Sequence, residues 1–243
     1  MKIPCDLHIH SALSPCGEER MTPNNIVNMA LVAGLELIAL TDHNTCGNCR
    51  AVMEAGNRAG LAVIPGMELT TAEDAHVVCL FPSADDAEAF EDEVAPRRMP
   101  IPNKPEVFGR QLRMDADDKI VGEAENLLIP ATTIDAYEVQ GLCRAHNGVA
   151  IPAHIDKDSN SLLASLGYLD PDLGFPICEI TPHCDADTLV REHSELKDVM
   201  FLRDSDAHDL PLIGTNGQTL DLPGTGAAEA VQYLYNIING GHR

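Results

Sequence analysis

Short apolar runs and amphipathic stretches alternate along this chain. Seven runs rich in leucine or β-branched residues read as strands: 3–9, 35–41, 62–65, 77–81, 149–152, 177–181 and 199–203. The spacing predicts helices between them. Thr22-Pro23 offers an N-cap followed by proline at the first helical position, Ile26, Met29, Ala30 and Ala33 share one face, and Gly34 stops the helix. Further helical patterns cover 48–59 (closed by Gly60), 134–146, 185–195 and 226–239. Such alternation is the signature of βαβ units around a parallel sheet. Residues 83–133 break the rhythm. They begin acidic ("ADDAEAFEDE"), turn proline-rich ("APRRMPIPNKP"), and end in "RQLRMDADDKIVGE", where Asp115–Asp118 between apolar flanks predicts a β-hairpin. A stretch of this length is no ordinary loop. The expectation is a single α/β domain over 1–243 with a small lid-like subdomain, 83–133, inserted in it.

The same pattern sets metal-ligand residue types at the ends of the strands: His8 and His10, Asp42-His43, Glu68, His154, and Asp206 with His208; His76 stands at the start of the fourth run. In a parallel barrel the C-terminal strand ends converge on one face, so residues distant in sequence meet there. His8 and His10 are two apart and point the same way from a strand, as do Asp206 and His208. Asp42 either ligates or holds an imidazole tautomer by hydrogen bonding, and the Glu68 carboxylate can bridge two cations. Mixed imidazole and carboxylate ligation suits zinc, manganese or iron better than calcium or magnesium alone. Cations held ~3.5–4 Å apart point to hydrolysis, because they activate water and neutralise charge developing on phosphoryl oxygens. His146 and His193 (in helices) and His242 (at the terminus) read as structural. His183, just after a strand, is open between substrate contact and a structural role.

Composition adds limits. With 243 residues, 44% of them hydrophobic, the chain can bury a full core. Sixteen basic residues against 38 acidic ones give a net charge of −22, which disfavours a polynucleotide partner unless bound cations neutralise the site locally. The absence of tryptophan and the 4% aromatic content argue against a base-stacking surface. The longest apolar stretch, 27–40, is broken by Asn28, Gly34 and Glu36, so no membrane span is expected. Nothing reads as a signal peptide, and eight cysteines then read as cytosolic thiols or ligands. The expected setting is cytoplasmic and the expected partner a small-molecule phosphate ester, with a nucleic-acid polymer disfavoured.

Taken in order, "DLHIHS", "ALTDHNT", "GMELT", "PAHI" and "SDAH" resemble the polymerase and histidinol phosphatase (PHP) family over roughly residues 3–81 and 147–215. The resemblance implies a distorted (β/α)7 barrel with two or three divalent metal ions (zinc, manganese or iron). Implied activities include phosphomonoesterase, histidinol-phosphate phosphatase, nucleotide phosphatase and polymerase-associated exonuclease reactions. It implies that His8, His10, Glu68 and Asp206 hold one metal, that His43 and His208 hold a second, and that Glu68 with His76 and His154 hold a third. Asp42 would support from outside. A metal-bridging hydroxide would attack phosphorus in line, with Glu68, Asp42 and His208 as the catalytic set and His208 or His183 protonating the leaving group.

One departure stands out. Where many members carry an acid in "HSxxSDG", this chain reads "HSALSPCG", so either Cys16, Glu18 or Glu19 completes the second site or that site is weaker or open to water. A thiolate there would favour zinc or iron. Cys46 and Cys49 follow a neighbouring strand and could meet Cys16 above the metals, as plain thiols or as a metal or redox site. Cys5, Cys79, Cys143 and Cys178 read as small buried apolar groups. Arg97, Arg98, Lys104, Arg110 and Arg113 concentrate in the insertion, either facing phosphate or solvated; His183, Lys157 and Arg20 are the candidates for touching substrate. The expected function is metal-dependent hydrolysis of a small phosphorylated metabolite or nucleotide. The alternatives are a metal-dependent amidohydrolase and a non-catalytic metal- or redox-sensing module.

Overall fold

The computed structural model describes residues 1–224 and 226–240; His242 lies outside them. In chain order the elements are β1 (Lys2–Ile9), α1 (Pro23–Val32), β2 (Leu37–Leu40), α2 (Cys49–Ala59), β3 (Ala62–Thr70), β4 (His76–Leu80), α3 (Ala84–Val94), α4 (Pro105–Phe108) and β5 (Leu112–Met114). There follow β6 (Ile120–Glu123), α5 (Ala136–Ala145), β7 (Val149–Pro152), α6 (Leu162–Leu166), β8 (Ile177–Ile180), α7 (Ala186–Glu192), β9 (Met200–Arg203), β10 (Thr219–Asp221) and α8 (Ala227–Ile238). Every run read as a strand is one. Helix signals behave as their chemistry dictates. The Thr22 side chain caps α1, Asp135 and Glu138 form a capping box on α5, and Gly60 ends α2 at φ 80°.

A curled six-stranded sheet runs β10-β1-β2-β3-β4-β7, and β8 and β9 form a separate parallel pair. The Ile155 N–H donates to the Glu179 carbonyl at 2.9 Å, tying the end of β7 to β8. Beyond β9 the chain rejoins β1, with the His10 N–H on the Ala207 carbonyl at 2.9 Å. Strand order is less regular than a uniformly parallel barrel: β4 runs antiparallel to both β3 and β7. The reason is the short link 71–75, which can close a hairpin but cannot carry a parallel crossover. The reversal has a functional consequence. Thr70 pairs with His76, so the first residue of β4 arrives at the face where β3 ends.

Two apolar layers hold the sheet. One face buries Cys5, Leu7, Ile64, Val78 and Ile151 against Val231 and Leu234 of α8. The other packs Ile38, Val63 and Cys79 against α1, α2, α3 and α5. Helix α3 belongs to that layer, with Phe90 fully buried and its ring 4.8 Å from that of Phe81. The part of 83–133 that departs from the barrel rhythm therefore starts after α3. It contains the hairpin β5–β6, turning at Asp115–Asp118 as the sequence pattern predicts. No helix among the described residues is long and apolar enough to cross a membrane.

Candidate metal centre

Strand β1 brings the first two imidazoles to the mouth through an irregularity. Its register against β2 shifts between Asp6 and Ile9. Cys5 and Leu7 pack with α8 while Ile9 packs in the opposite layer, so the alternation reverses between them. His8 and His10 end up with their Nε2 atoms 3.1 Å apart and both side chains fully buried.

The surrounding hydrogen bonds decide what those nitrogens carry. His8 Nδ1 lies 2.8 Å from the Glu179 carboxylate, which only accepts, so Nδ1 holds the hydrogen and Nε2 a lone pair. His10 Nδ1 lies 2.9 Å from Ser14 Oγ, whose own hydrogen goes to Asp42 Oδ1 at 2.7 Å. That hydroxyl therefore accepts from His10, again leaving a lone pair on Nε2. Glu68 Oε1 is 3.3 Å from His8 Nε2, Glu68 Oε2 is 3.2 Å from His10 Nε2, and Asp206 Oδ1 is 3.4 Å from both nitrogens. Two imidazole nitrogens and two carboxylates thus converge, and all four can turn a lone pair to one point once a cation displaces the Nε2 protons. Buried polar groups need partners, yet Glu68 Oε2, Asp206 Oδ1 and His43 Nδ1 have no hydrogen-bond partner among the described residues. A divalent cation satisfies such a set. The donors, imidazole and carboxylate together, fit the group that the sequence implies.

Glu68, at the end of β3, is the hub. Its Oε1 faces His76 Nδ1 at 2.8 Å and His154 Nε2 at 3.1 Å, and its Oε2 faces His43 Nδ1 at 3.0 Å. Three metal-capable groups share these residues: His8, His10, Glu68 and Asp206; His10, His43 and His208; and His43, Glu68 and His76. The imidazole rings of His10 and His208 stack at 4.0 Å. Two members sit in strained backbone: Asp206 at φ 52° and His154 at φ 31°, the left-handed region that costs roughly 1–3 kcal/mol for such residues.

A cavity of about 230 Å³ opens above Glu68. Cys16, His43, His76, His154, Asp206 and His208 are in its wall. Lys157 lines it as well, its Nζ 2.6 Å from Asp206 Oδ2. Burial works against the Lys157 charge, but Asp206 outweighs it and holds the ammonium above its ordinary range.

Other sequence candidates land elsewhere. Asp42 does not face the cavity. Its carboxylate accepts from the Ser11 N–H and the Ser11 and Ser14 hydroxyls at 2.6–2.7 Å, so it orders the loop after β1 and, through Ser14, the tautomer of His10. Its catalytic assignment becomes one of positioning. Arg20 is exposed and spent on Glu18 and Asp209, each at 2.6 Å. His183 is exposed in the turn after β8 and does not line the cavity. Neither lines the cavity.

The "SPCG" departure also resolves geometrically. Cys16 Sγ lies 3.2 Å from His43 Nε2, while the Glu18 carboxylate is held outward by Arg20. Loss of water around the sulfur and the negative charge of Glu68 push the Cys16 thiol up to about 12. Gly17 is obligatory: a Cβ there would sit 2.4 Å from the Ser11 carbonyl oxygen. Cys46 and Cys49 do not join Cys16. Both are buried and donate to the Gly66 carbonyl at 3.3 Å, inside the layer between α2 and the sheet. No cysteine belongs to a metal-capable group among the described residues, and a thiol cluster above the metals is not formed.

Glu179 escaped the sequence reading. The available signal was an acid inside the apolar run "ICEI", where alternation into a buried strand leaves a charge unexplained. Asp6 and Asp204 lie near it, also buried; Asp204 accepts from the Leu7 N–H at 2.7 Å and Asp6 from the Ser205 N–H at 3.0 Å.

Charge in the centre is set by competition between protons and cations. Burial disfavours charge on His8 and His10, but the carboxylates around them win, holding His8 well above its ordinary value and His10 at about 9. Burial instead lowers His43 to about 4 and His208 to about 3, aided by neighbouring imidazoles. Without a cation, protons occupy the Nε2 lone pairs of His8 and His10, and a cation must expel them. Apparent Zn(II) affinity is therefore expected to rise as pH increases from 6 to about 9, with proton release on binding. Isothermal titration in buffers of different ionisation heat measures it, and a pH-independent affinity would contradict this charge assignment.

Residues 6–208 match the PHP domain family. A 5′-3′ exoribonuclease Rnm of Salmonella typhimurium is 35% identical over a segment covering 30% of this chain and 25% of the relative. A phosphoribosyl 1,2-cyclic phosphate 1,2-diphosphodiesterase of Eggerthella lenta is 34% identical over 27% of this chain and 24% of its own length. The matched segments thus span about a quarter of these curated relatives. The lesion-specific endonuclease PfuEndoQ of Pyrococcus furiosus superposes with a TM-score of 0.71 at 19% identity, over 100% of this chain and 57% of that one. These findings overturn the expectation that a nucleic-acid polymer is disfavoured, since proteins named exoribonuclease and endonuclease are among those with this fold or sequence. Net charge misled because it sums the whole surface, whereas a polyanion meets only the local potential at the mouth. The match over residues 6–208, most of the chain, gives one conclusion: the chain belongs to the PHP domain family.

Proposed function

We propose that this protein is a metal-dependent phosphoester hydrolase acting on nucleotides or nucleic acid. The observation that carries the reading is the convergence of His8 Nε2 and His10 Nε2, 3.1 Å apart and each within 3.4 Å of a Glu68 and an Asp206 carboxylate oxygen, beside an open cavity. His8, His10, Glu68 and Asp206 would hold one cation, His43 and His208 with His10 a second, and Glu68 with His76 and His154 a further one. When bound, such ions supply Lewis acidity toward the phosphoryl oxygens and an activated water.

The protein's own groups do the rest. Glu68, whose two oxygens face different imidazoles, would offer one carboxylate to neighbouring cation positions. Lys157 offers an ammonium at the cavity wall to a non-bridging oxygen or to the leaving oxygen. His208 is unsuited to protonate the leaving group: its Nδ1 hydrogen is given to the Asp206 carbonyl at 2.8 Å and the ring is neutral above about pH 3. It serves better as a ligand, so the leaving-group proton comes from Lys157 or solvent.

The test is direct. Metal-stripped protein should be inert toward bis(p-nitrophenyl) phosphate and p-nitrophenyl phosphate, and Mn(II) or Zn(II) should restore turnover of at least one of them. Metal-replete protein that hydrolyses neither these esters nor any oligonucleotide would sink the reading.

A further inference from the structure

Beside the metal centre lies a second cavity of about 570 Å³, lined by the segment after α3 and the strand pair β5–β6. The two cavities adjoin: Leu128 lines one and Ile129 the other. Its walls combine two chemistries. Pro96, Met99, Pro100 and Leu128 make an apolar side, and Arg98 and Arg113 make a cationic one.

These two are not spent as the other insertion arginines are. Arg97 and Arg110 are consumed by Glu138 and Glu123. Arg98 gives one Nη to Glu91 at 2.8 Å, but its buried Nε has no partner among the described residues. Arg113 makes no ion pair or hydrogen bond among them, although the chain carries 38 acids. Its guanidinium lies over Gly47, with Nε 3.6 Å from where a Cβ would stand. Of the acids in the wall, Glu123 is neutralised by Arg110 and Glu125 is exposed.

Both arginines bear on the loop that carries His43, Arg113 beside Gly47 and Arg98 through Glu91. Glu91, which holds Arg98, also accepts from the Thr45 hydroxyl and the Cys46 N–H at 2.8 Å. The Asn44 side chain donates to the Leu128 and Pro130 carbonyls in the partition between the cavities. A group seated in the larger cavity therefore bears on the loop that positions His43.

We infer that this cavity is a nucleotide subsite: it takes the nucleoside next to the scissile ester of a nucleic-acid strand, with that nucleotide's non-scissile phosphate on Arg113 and Arg98. A volume in the range typical of small-molecule pockets, one apolar wall for a base and a cationic wall for a phosphate match that unit. A simple aryl ester has nothing to place there. The inference rests on the phosphoesterase reading above and adds the substrate's extension.

Thymidine oligomers two to five residues long, compared with bis(p-nitrophenyl) phosphate, test it on the metal-replete protein. Wild-type kcat/KM should rise from the aryl ester to the oligomers. Arg113→Ser should lower kcat/KM for the oligomers about tenfold through KM, so that the oligomer-to-aryl ratio collapses. Arg113 is exposed and unpartnered, so the variant is expected to fold; Met99→Asp, which puts an anion on the apolar wall, should act in the same direction. Lys197→Ser, the same charge change elsewhere on the surface, should leave the ratio intact. An unchanged ratio in both cavity variants, or an equal drop in Lys197→Ser, would overturn the subsite while leaving the phosphoesterase reading standing. Absence of aryl ester and oligomer turnover in the wild type would instead remove the reading beneath it.

Discussion

Glu68→Gln is expected to abolish phosphoester hydrolysis, by on the order of 10³-fold or more, while leaving the fold intact. The size follows from position. Burial opposes charge on Glu68, yet His76, His8 and His43 hold its carboxyl well below the usual range, so it is an anion at every working pH. Its oxygens lie within 3.3 Å of five imidazoles, so every proposed cation position borders it. Glutamine keeps the shape but removes the charge and offers one oxygen in place of two. Losing a shared anionic ligand forfeits several kcal/mol of electrostatic stabilisation, and each 1.36 kcal/mol is about tenfold in rate. Metal content by atomic emission, turnover and circular dichroism on the same preparation decide the matter. Full metal content with undiminished turnover would refute the hub assignment.

The second large effect is expected at a residue that touches neither cavity nor substrate. Glu179→Ala should weaken metal binding about 10–100-fold, the typical result of removing a partner that orients a ligating histidine. With Glu179 gone, the buried Nδ1–H of His8 has no acceptor, and the ring is free to rotate or to take the other tautomer. Glu179→Gln should recover most of the loss, because its amide oxygen can still accept from Nδ1. Titrating both variants with Zn(II) and following activity against metal concentration separates the outcomes. Lost activity that excess metal restores marks a positioning role; an unaffected metal affinity in Glu179→Ala would exclude one. The buried Asp204 lies close by: burial, then repulsion from Glu179 and Asp6, holds its carboxyl well above the ordinary range.

Corrections to the sequence reading share a physical origin. Asp42 stands open in the sequence between ligating and holding an imidazole tautomer, and the fold places it in the second role: His43 reaches Glu68 while Asp42 turns to the serines of the loop after β1. The "TCGNC" spacing leaves plain thiols and a metal or redox site both open, and the turn into α2 decides for the first by burying both sulfurs on the Gly66 carbonyl. Arg20 looked free until folding set Asp209 beside it. His183 and Arg20 sit on loops, whose courses are fixed by partners that local pattern does not disclose.

The sequence by itself determined the seven strand runs, the principal helices and the residue types at the strand ends. Those features are local: apolar periodicity, caps and the two-residue repeat act within a few positions. It therefore also determined that His8, His10, Glu68, Asp206 and His208 would share one face. Only the tertiary structure decided that β4 runs backwards and delivers His76 from its start, that β1 shifts register to turn its histidines inward, and that Glu179 and Ser14 set their tautomers. It alone placed Cys16 against His43 and Arg113 over a cavity beside the metals. Each of these depends on contacts between segments far apart in the chain, whose geometry is set by packing and hydrogen-bond satisfaction rather than by any pattern along it.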